Sequence, residues 1–169
     1  MKLIPIVRRI LDESKQVGII YHYTKYISAI DIIKDNRLNG SFVPKETHSK
    51  YNFGVSFTRN KNLHIKTRII SGTDVRFVVD GDKLSNHYKI YPMTDGYGDE
   101  DETFVIVKEP KAIIDFLQYV ISIDISNNNW RDFEDYCGGF NGDWGDFTDF
   151  KTFIQYIEKI SNKKVMVFH

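Results

Sequence analysis

The stretch GIIYHYTKYISAIDIIKDNRL, residues 18–38, decides how the chain is read. GIIYH is apolar and rich in β-branched residues, which suits a buried strand. Ile27, Ile30 and Ile33 then recur at three-residue intervals and give one apolar face to a helix over 25–36. NRLNGS supplies its stop, because Asn and Gly tolerate the left-handed backbone on which helices end. His22 and Thr24 stand at the handover from strand to helix. Two readings are open: Thr24 caps the helix and His22 is incidental, or both side chains face a ligand at the carboxyl end of the strand.

Upstream, Ile4, Val7, Ile10 and Leu11 have helical spacing and Pro5 is admissible in a first turn, so residues 3–15 read as a short amphipathic helix lying on the domain as a lid. Downstream, 39–53 is polar and irregular, a loop of the length at which function is commoner than idleness. Short β-rich runs follow: GVSFT (54–58), VRFVVD (75–80), YKIY (88–91), TFVIV (103–107) and YVISIDI (119–125). Few of the gaps between them would hold a crossover helix, so the sheet is expected to be antiparallel or mixed and the class α+β. The segment from 127 to 150 carries six acids, four glycines and both tryptophans; it reads as an acidic recognition loop or as a solvated loop pinned by Trp130 and Trp144. Thr148 is expected to open a last helix with Phe150, Phe153, Ile154 and Ile157 on one face, and VMVF to close the chain as a strand.

At 169 residues the chain fits one domain, 1–169. Lys and Arg total 23, matched by 23 Asp and Glu, so no global positive field favours nucleic acid. Cys137 has no second cysteine with which to form a disulfide or a thiolate zinc site, which fits a reducing compartment. MKLIPIVRRILDESK is interrupted by Arg8 and Arg9 and matches neither a signal peptide nor a membrane span. A cytoplasmic protein without a membrane partner is expected.

Polar groups at strand ends carry what chemistry the chain advertises: His22 with Thr24, Ser56 with Thr58 in GVSFTRN, and Glu100 with Glu102 in YGDEDETFVIV. Each has an ordinary structural explanation when taken singly. No G-x-S-x-G, phosphate-binding Gly-rich loop or H-E-x-x-H is present, and His48, His64 and His87 lack metal-ligand spacing, so no metal is expected.

Taken in order, YHYT before a short helix, SFT on a strand and EDE opening another strand resemble the ADP-ribosyltransferase superfamily. The opening H-x-T with AIDIIKDNRL is similar to its DNA-modifying and 2′-phosphotransferase branches, and VRFVVDGDKLSNHYKIYP resembles small phage-borne proteins of this type. The resemblance spans about residues 18–125. It implies split β-sheets around a central cleft flanked by short helices, NAD as the substrate cofactor, and a protein or nucleic-acid acceptor. It also implies that His22 hydrogen-bonds the adenosine-side ribose or a neighbouring carbonyl with Thr24 in support, while Ser56 and Thr58 shape the floor under the nicotinamide ribose. Phe57 or Phe53 would stack on the ring, and Arg59 would reach the pyrophosphate. Glu102 would be the catalytic carboxylate and Glu100 its E-x-E partner, orienting the acceptor. Arg would be usual at position 22 in one branch and a Tyr pair in the middle segment of the other; this chain mixes them. A non-catalytic module that binds a nucleotide, ADP-ribose or a protein is the alternative function.

Overall fold

The computed structural model describes residues 17–42, 53–63, 74–92, 102–130, 133, 147 and 149–168. The helix expected over 3–15, Glu100, Trp144 and Thr148 lie outside that set. The opening strand forms as β1, Ile19–Thr24, and the helix behind it as α1, Tyr26–Asp35. Asn36 takes the left-handed conformation (φ 47°) and its N–H closes on the carbonyls of Ile32 and Ile33, which is the stop expected there. The α1 N-cap is Lys25, with no side-chain cap, so Thr24 remains a strand residue paired with Val75.

The chain continues as β2 (Arg37–Asn39), β3 (Ser41–Phe42), β4 (Phe53–Thr58), β5 (Val75–Asp80), α2 (Gly81–Ser85), β6 (Lys89–Pro92) and β7 (Glu102–Ile106). It finishes with β8 (Ala112–Ile114), a 3₁₀ turn (Phe116–Tyr119), β9 (Val120–Ser126), α3 (Phe150–Ser161) and β10 (Lys164–Phe168). The class is α+β, as expected. Seven strands run in the order β10-β9-β5-β1-β4-β7-β6, with β3 added on β4, and β2 pairs β8 in a separate ribbon. All pairings are antiparallel except β10 on β9, which α3 connects by a crossover.

In place of the two split sheets that the resemblance implies, the main strands form one open sheet that narrows between β1 and β4. β1 pairs β5 along six residues, but it meets β4 through a single register pair, Tyr21 with Thr58. Alternation sorts the side chains across this sheet. Ile20, His22, Phe77, Val79, Ile123, Ile125, Val55, Phe57 and Val105 share the face that carries the main core. Tyr21, Tyr23, Arg76, Asp124, Ser56, Thr58 and Glu102 share the other.

α1 buries Tyr26, Ala29, Ile30, Ile32 and Ile33, and α3 buries Phe153 and Ile157. The start of α3 differs from expectation: Asp149 is the N-cap and closes a reciprocal box with Thr152, so the helix begins at Phe150. Trp130 packs against α3, with ring centroids 5.3 Å from Phe150 and 5.2 Å from Phe153. Tyr26 joins that cluster 4.7 Å from Phe133, and its hydroxyl donates to the Ser126 carbonyl. Phe153 lies fully buried among Tyr26, Trp130, Phe133 and Phe147. Phe153→Ala should therefore cost about 3–5 kcal/mol of unfolding free energy; a urea unfolding series showing under about 1 kcal/mol would mean that the cluster repacks around the gap.

Candidate functional site

Where β1 and β4 stop pairing, a side chain takes over from the backbone. The His22 ring reaches the Ser56 carbonyl through Nδ1 at 2.9 Å. A carbonyl only accepts, so Nδ1 carries the proton and, in the neutral ring, Nε2 is left as an acceptor. Burial pushes the His22 pKa below its ordinary 6.5, outweighing the Ser56 bond, which acts in the opposite direction. Packing explains the burial: the His22 ring centroid is 5.5 Å from Phe57 and 6.4 Å from Phe77.

The same residue of β4 turns outward to β7. The Ser56 hydroxyl donates to Glu102 Oε1 on the neighbouring strand. Thr58 is the direct register partner of Glu102, so Ser56 lies diagonal to the carboxylate on the same face. His22, Ser56 and Glu102 are thus joined in one hydrogen-bonded sequence across three adjacent strands, although the imidazole and the carboxylate approach from opposite faces. What links them is the Ser56 residue itself, carbonyl to one side and hydroxyl to the other.

The remaining site candidates are distributed between these faces. Thr24 and His22 line a cavity of about 300 Å³ against α1 and β2, with Ser28, Asp31, Asp35 and Arg37 among its other walls. Phe57 is 1% exposed and faces the core beneath His22, so it offers no open surface on which a ring could stack. Phe53, at the other end of β4, is half-buried with the Lys111 ammonium 4.4 Å from its ring centroid. The Thr58 hydroxyl accepts from the Asn60 N–H at 2.9 Å and is largely buried. Arg59 is exposed immediately beyond β4.

A second group on the Glu102 face escaped the sequence reading. Arg76 Nε and Nη2 both donate to Asp124 Oδ2, at 3.0 and 2.5 Å, with the pair almost fully buried. Its Nη1 reaches the Lys61 carbonyl at 2.5 Å and the Tyr23 hydroxyl at 3.3 Å, and Tyr23 itself donates to the Lys61 carbonyl at 2.6 Å. Burial works against the Arg76 charge, but its bonds to Tyr23 and Asp124 prevail and raise its pKa; burial likewise raises that of Tyr23. The available signal was Arg76 set within the apolar run VRFVV and Asp124 within YVISIDI.

Neither models of protein families nor curated proteins yield a match to this sequence. Among the described residues, no group of three or more His, Cys, Asp or Glu is placed to hold a metal, and no helix is long and apolar enough to cross a membrane.

The imidazole geometry has a measurable consequence. In a pH titration followed by ¹⁵N shifts, His22 should hold its proton on Nδ1 and ionise below 6.5. Because the unfolded ring takes up a proton more readily, the stability this ring contributes is complete above about pH 6.5 and is lost as pH falls from there through the folded-state value. A midpoint above 6.5 would refute the assignment.

Proposed function

We propose that the protein is an NAD-dependent ADP-ribosyltransferase, moving ADP-ribose from NAD to a protein or nucleobase acceptor. The observation that supports this reading is the hydrogen-bonded junction of His22, Ser56 and Glu102, which draws together the three segments whose order suggested the chemistry. When the bond between nicotinamide and ribose breaks, the leaving nicotinamide takes the electron pair and the ribose acquires oxocarbenium character. A carboxylate accepting from the ribose 2′-hydroxyl stabilises that cation more as its charge develops, and it does so only while ionised.

In this reading Glu102 is the catalytic residue and the Ser56 hydroxyl orients it. His22 acts as a positioning residue, holding β4 through the Ser56 carbonyl from the opposite face of the sheet. Glu100, two residues upstream of Glu102, keeps the role of orienting the acceptor.

The test is nicotinamide release from NAD by the purified chain, with and without a crude cell lysate as acceptor source. Glu102→Gln should lower the rate by about 10² or more, the loss expected for a transition-state contact of a few kcal/mol. Ser56→Ala should lower it by a smaller factor, about tenfold, because the carboxylate stays in place but loses one orienting hydrogen bond. Equal rates in wild type and Glu102→Gln would overturn the reading; no release, with NAD still raising the melting temperature, would assign the protein to the class of non-catalytic nucleotide-binding modules.

A further inference from the structure

On the helix-covered side of the sheet, opposite Glu102, the cavity of about 300 Å³ between β1, α1 and β2 has walls that the transfer reaction leaves unused. Two of its lining residues are acids. Asp31 and Asp35 stand four residues apart on α1, so they share one helix face, and both are exposed. The Arg37 guanidinium lies in the same walls but is engaged elsewhere: its Nε donates to Asn39 Oδ1 at 2.8 Å and its Nη2 to the Pro110 carbonyl at 3.0 Å. Among the described residues neither carboxylate has an ion pair, although a cation lines the cavity beside them.

The floor does not offset those charges. His22 is a lining residue whose Nδ1 is committed to the Ser56 carbonyl, and burial lowers its pKa, so at neutral pH the ring adds an acceptor nitrogen and no positive charge. Ile32 and Leu38 are buried and supply apolar wall between the polar groups. Among the described residues no three acidic or imidazole groups converge as metal ligands do, so the acceptors are spread out and suit an extended organic cation better than a metal ion. Two carboxylates beside one engaged guanidinium also repel phosphate, which sets this cavity apart from a dinucleotide subsite.

We propose that this cavity binds a short aliphatic diamine, with its ammonium groups at Asp31 and Asp35 and its methylenes against Ile32 and Leu38. The site lies across the sheet from Glu102 and does not rest on the transferase reading. α1 then serves two purposes, an apolar face that builds the core and an acidic one that holds a ligand.

The test titrates the full chain with putrescine by calorimetry at low and high salt, follows the ¹⁵N resonances of the His22 ring, and records the unfolding midpoint of every variant. Putrescine should bind at low salt, weaken as salt rises and move the His22 resonances. Asp31→Asn and Asp35→Asn should each weaken it about fivefold, the upper end for an exposed ion pair, and both should stay folded because the positions are exposed. Butylamine, with one ammonium in place of two, should bind the wild type more weakly than putrescine does, and the gap should narrow in either single variant, where one carboxylate remains. Adventitious attraction to acids elsewhere on the chain would show neither that coupling nor a response at His22. The proposal is overturned by no putrescine binding at low salt, by wild-type affinity in the Asp31→Asn/Asp35→Asn double variant, or by binding that leaves the His22 resonances in place. Displacement of putrescine by ADP would also overturn it and make the cavity a nucleotide site. None of these readouts needs nicotinamide release, so this proposal and the transferase reading fail separately.

Discussion

The bond from the His22 ring to the Ser56 carbonyl lies at the narrowest point of the sheet, and both halves depend on it. On one side, β10, β9, β5 and β1 are joined by long antiparallel and parallel ladders. On the other, β3, β4, β7 and β6 form a second laddered group. Between the strands stand one backbone pair, Tyr21 with Thr58, and this side-chain bond, and just beyond β4 Tyr23 and Arg76 both donate to the Lys61 carbonyl. The imidazole gives the Ser56 carbonyl a partner at the point where a continued ladder would have supplied one, so the strands separate there with that group still hydrogen-bonded. An arrangement of this kind separates two strands without leaving their polar backbone unsatisfied.

From that junction the two faces diverge in chemistry. The helix-covered face is apolar and aromatic: Phe57, Phe77 and Phe116 lie under the sheet's centre, and Tyr26, Trp130, Phe133 and Phe153 join α1 to α3. The opposite face is polar, yet parts of it are as buried. Arg76 and Asp124 are 3% and 1% exposed, and their charges remain inside because each satisfies the other and the guanidinium finds further acceptors and aromatic faces. Buried pairs of this type add little net stability after desolvation, but removing either partner strands a charge, so they specify one arrangement strongly. Here the specified arrangement includes the register of β1, β5 and β9 and the turn after β4. Ser56 and Glu102 lie on this polar face, within a framework whose rigidity comes from neighbouring strands.

Local pattern in the sequence was enough for much of this. β-branched runs marked β1, β4, β5, β6, β7, β9 and β10, and apolar spacing marked α1 and α3; Asn36 was legible as a helix stop because few other residues tolerate its conformation. Alternation alone placed Ser56 and Thr58 on one side of β4, since the two-residue period of a strand needs no knowledge of its neighbours. What the pattern could not contain was partnership. Thr24 read as well for a cap as for a ligand contact, and only the pairing with Val75 and the cap at Lys25 removed the first. β2 and β8 are each three residues long and form a ribbon only because the chain brings Leu38 opposite Ile113. His22 finds a backbone carbonyl 34 residues away, Ser56 finds Glu102 46 residues away, and Arg76 finds Asp124 48 residues away. Periodicity and propensity are properties of neighbouring residues and so are written along the chain, whereas register across strands is set by the packing of the whole sheet; that is why the sequence by itself determined the elements and the candidate residues, and only the tertiary structure decided which of them meet.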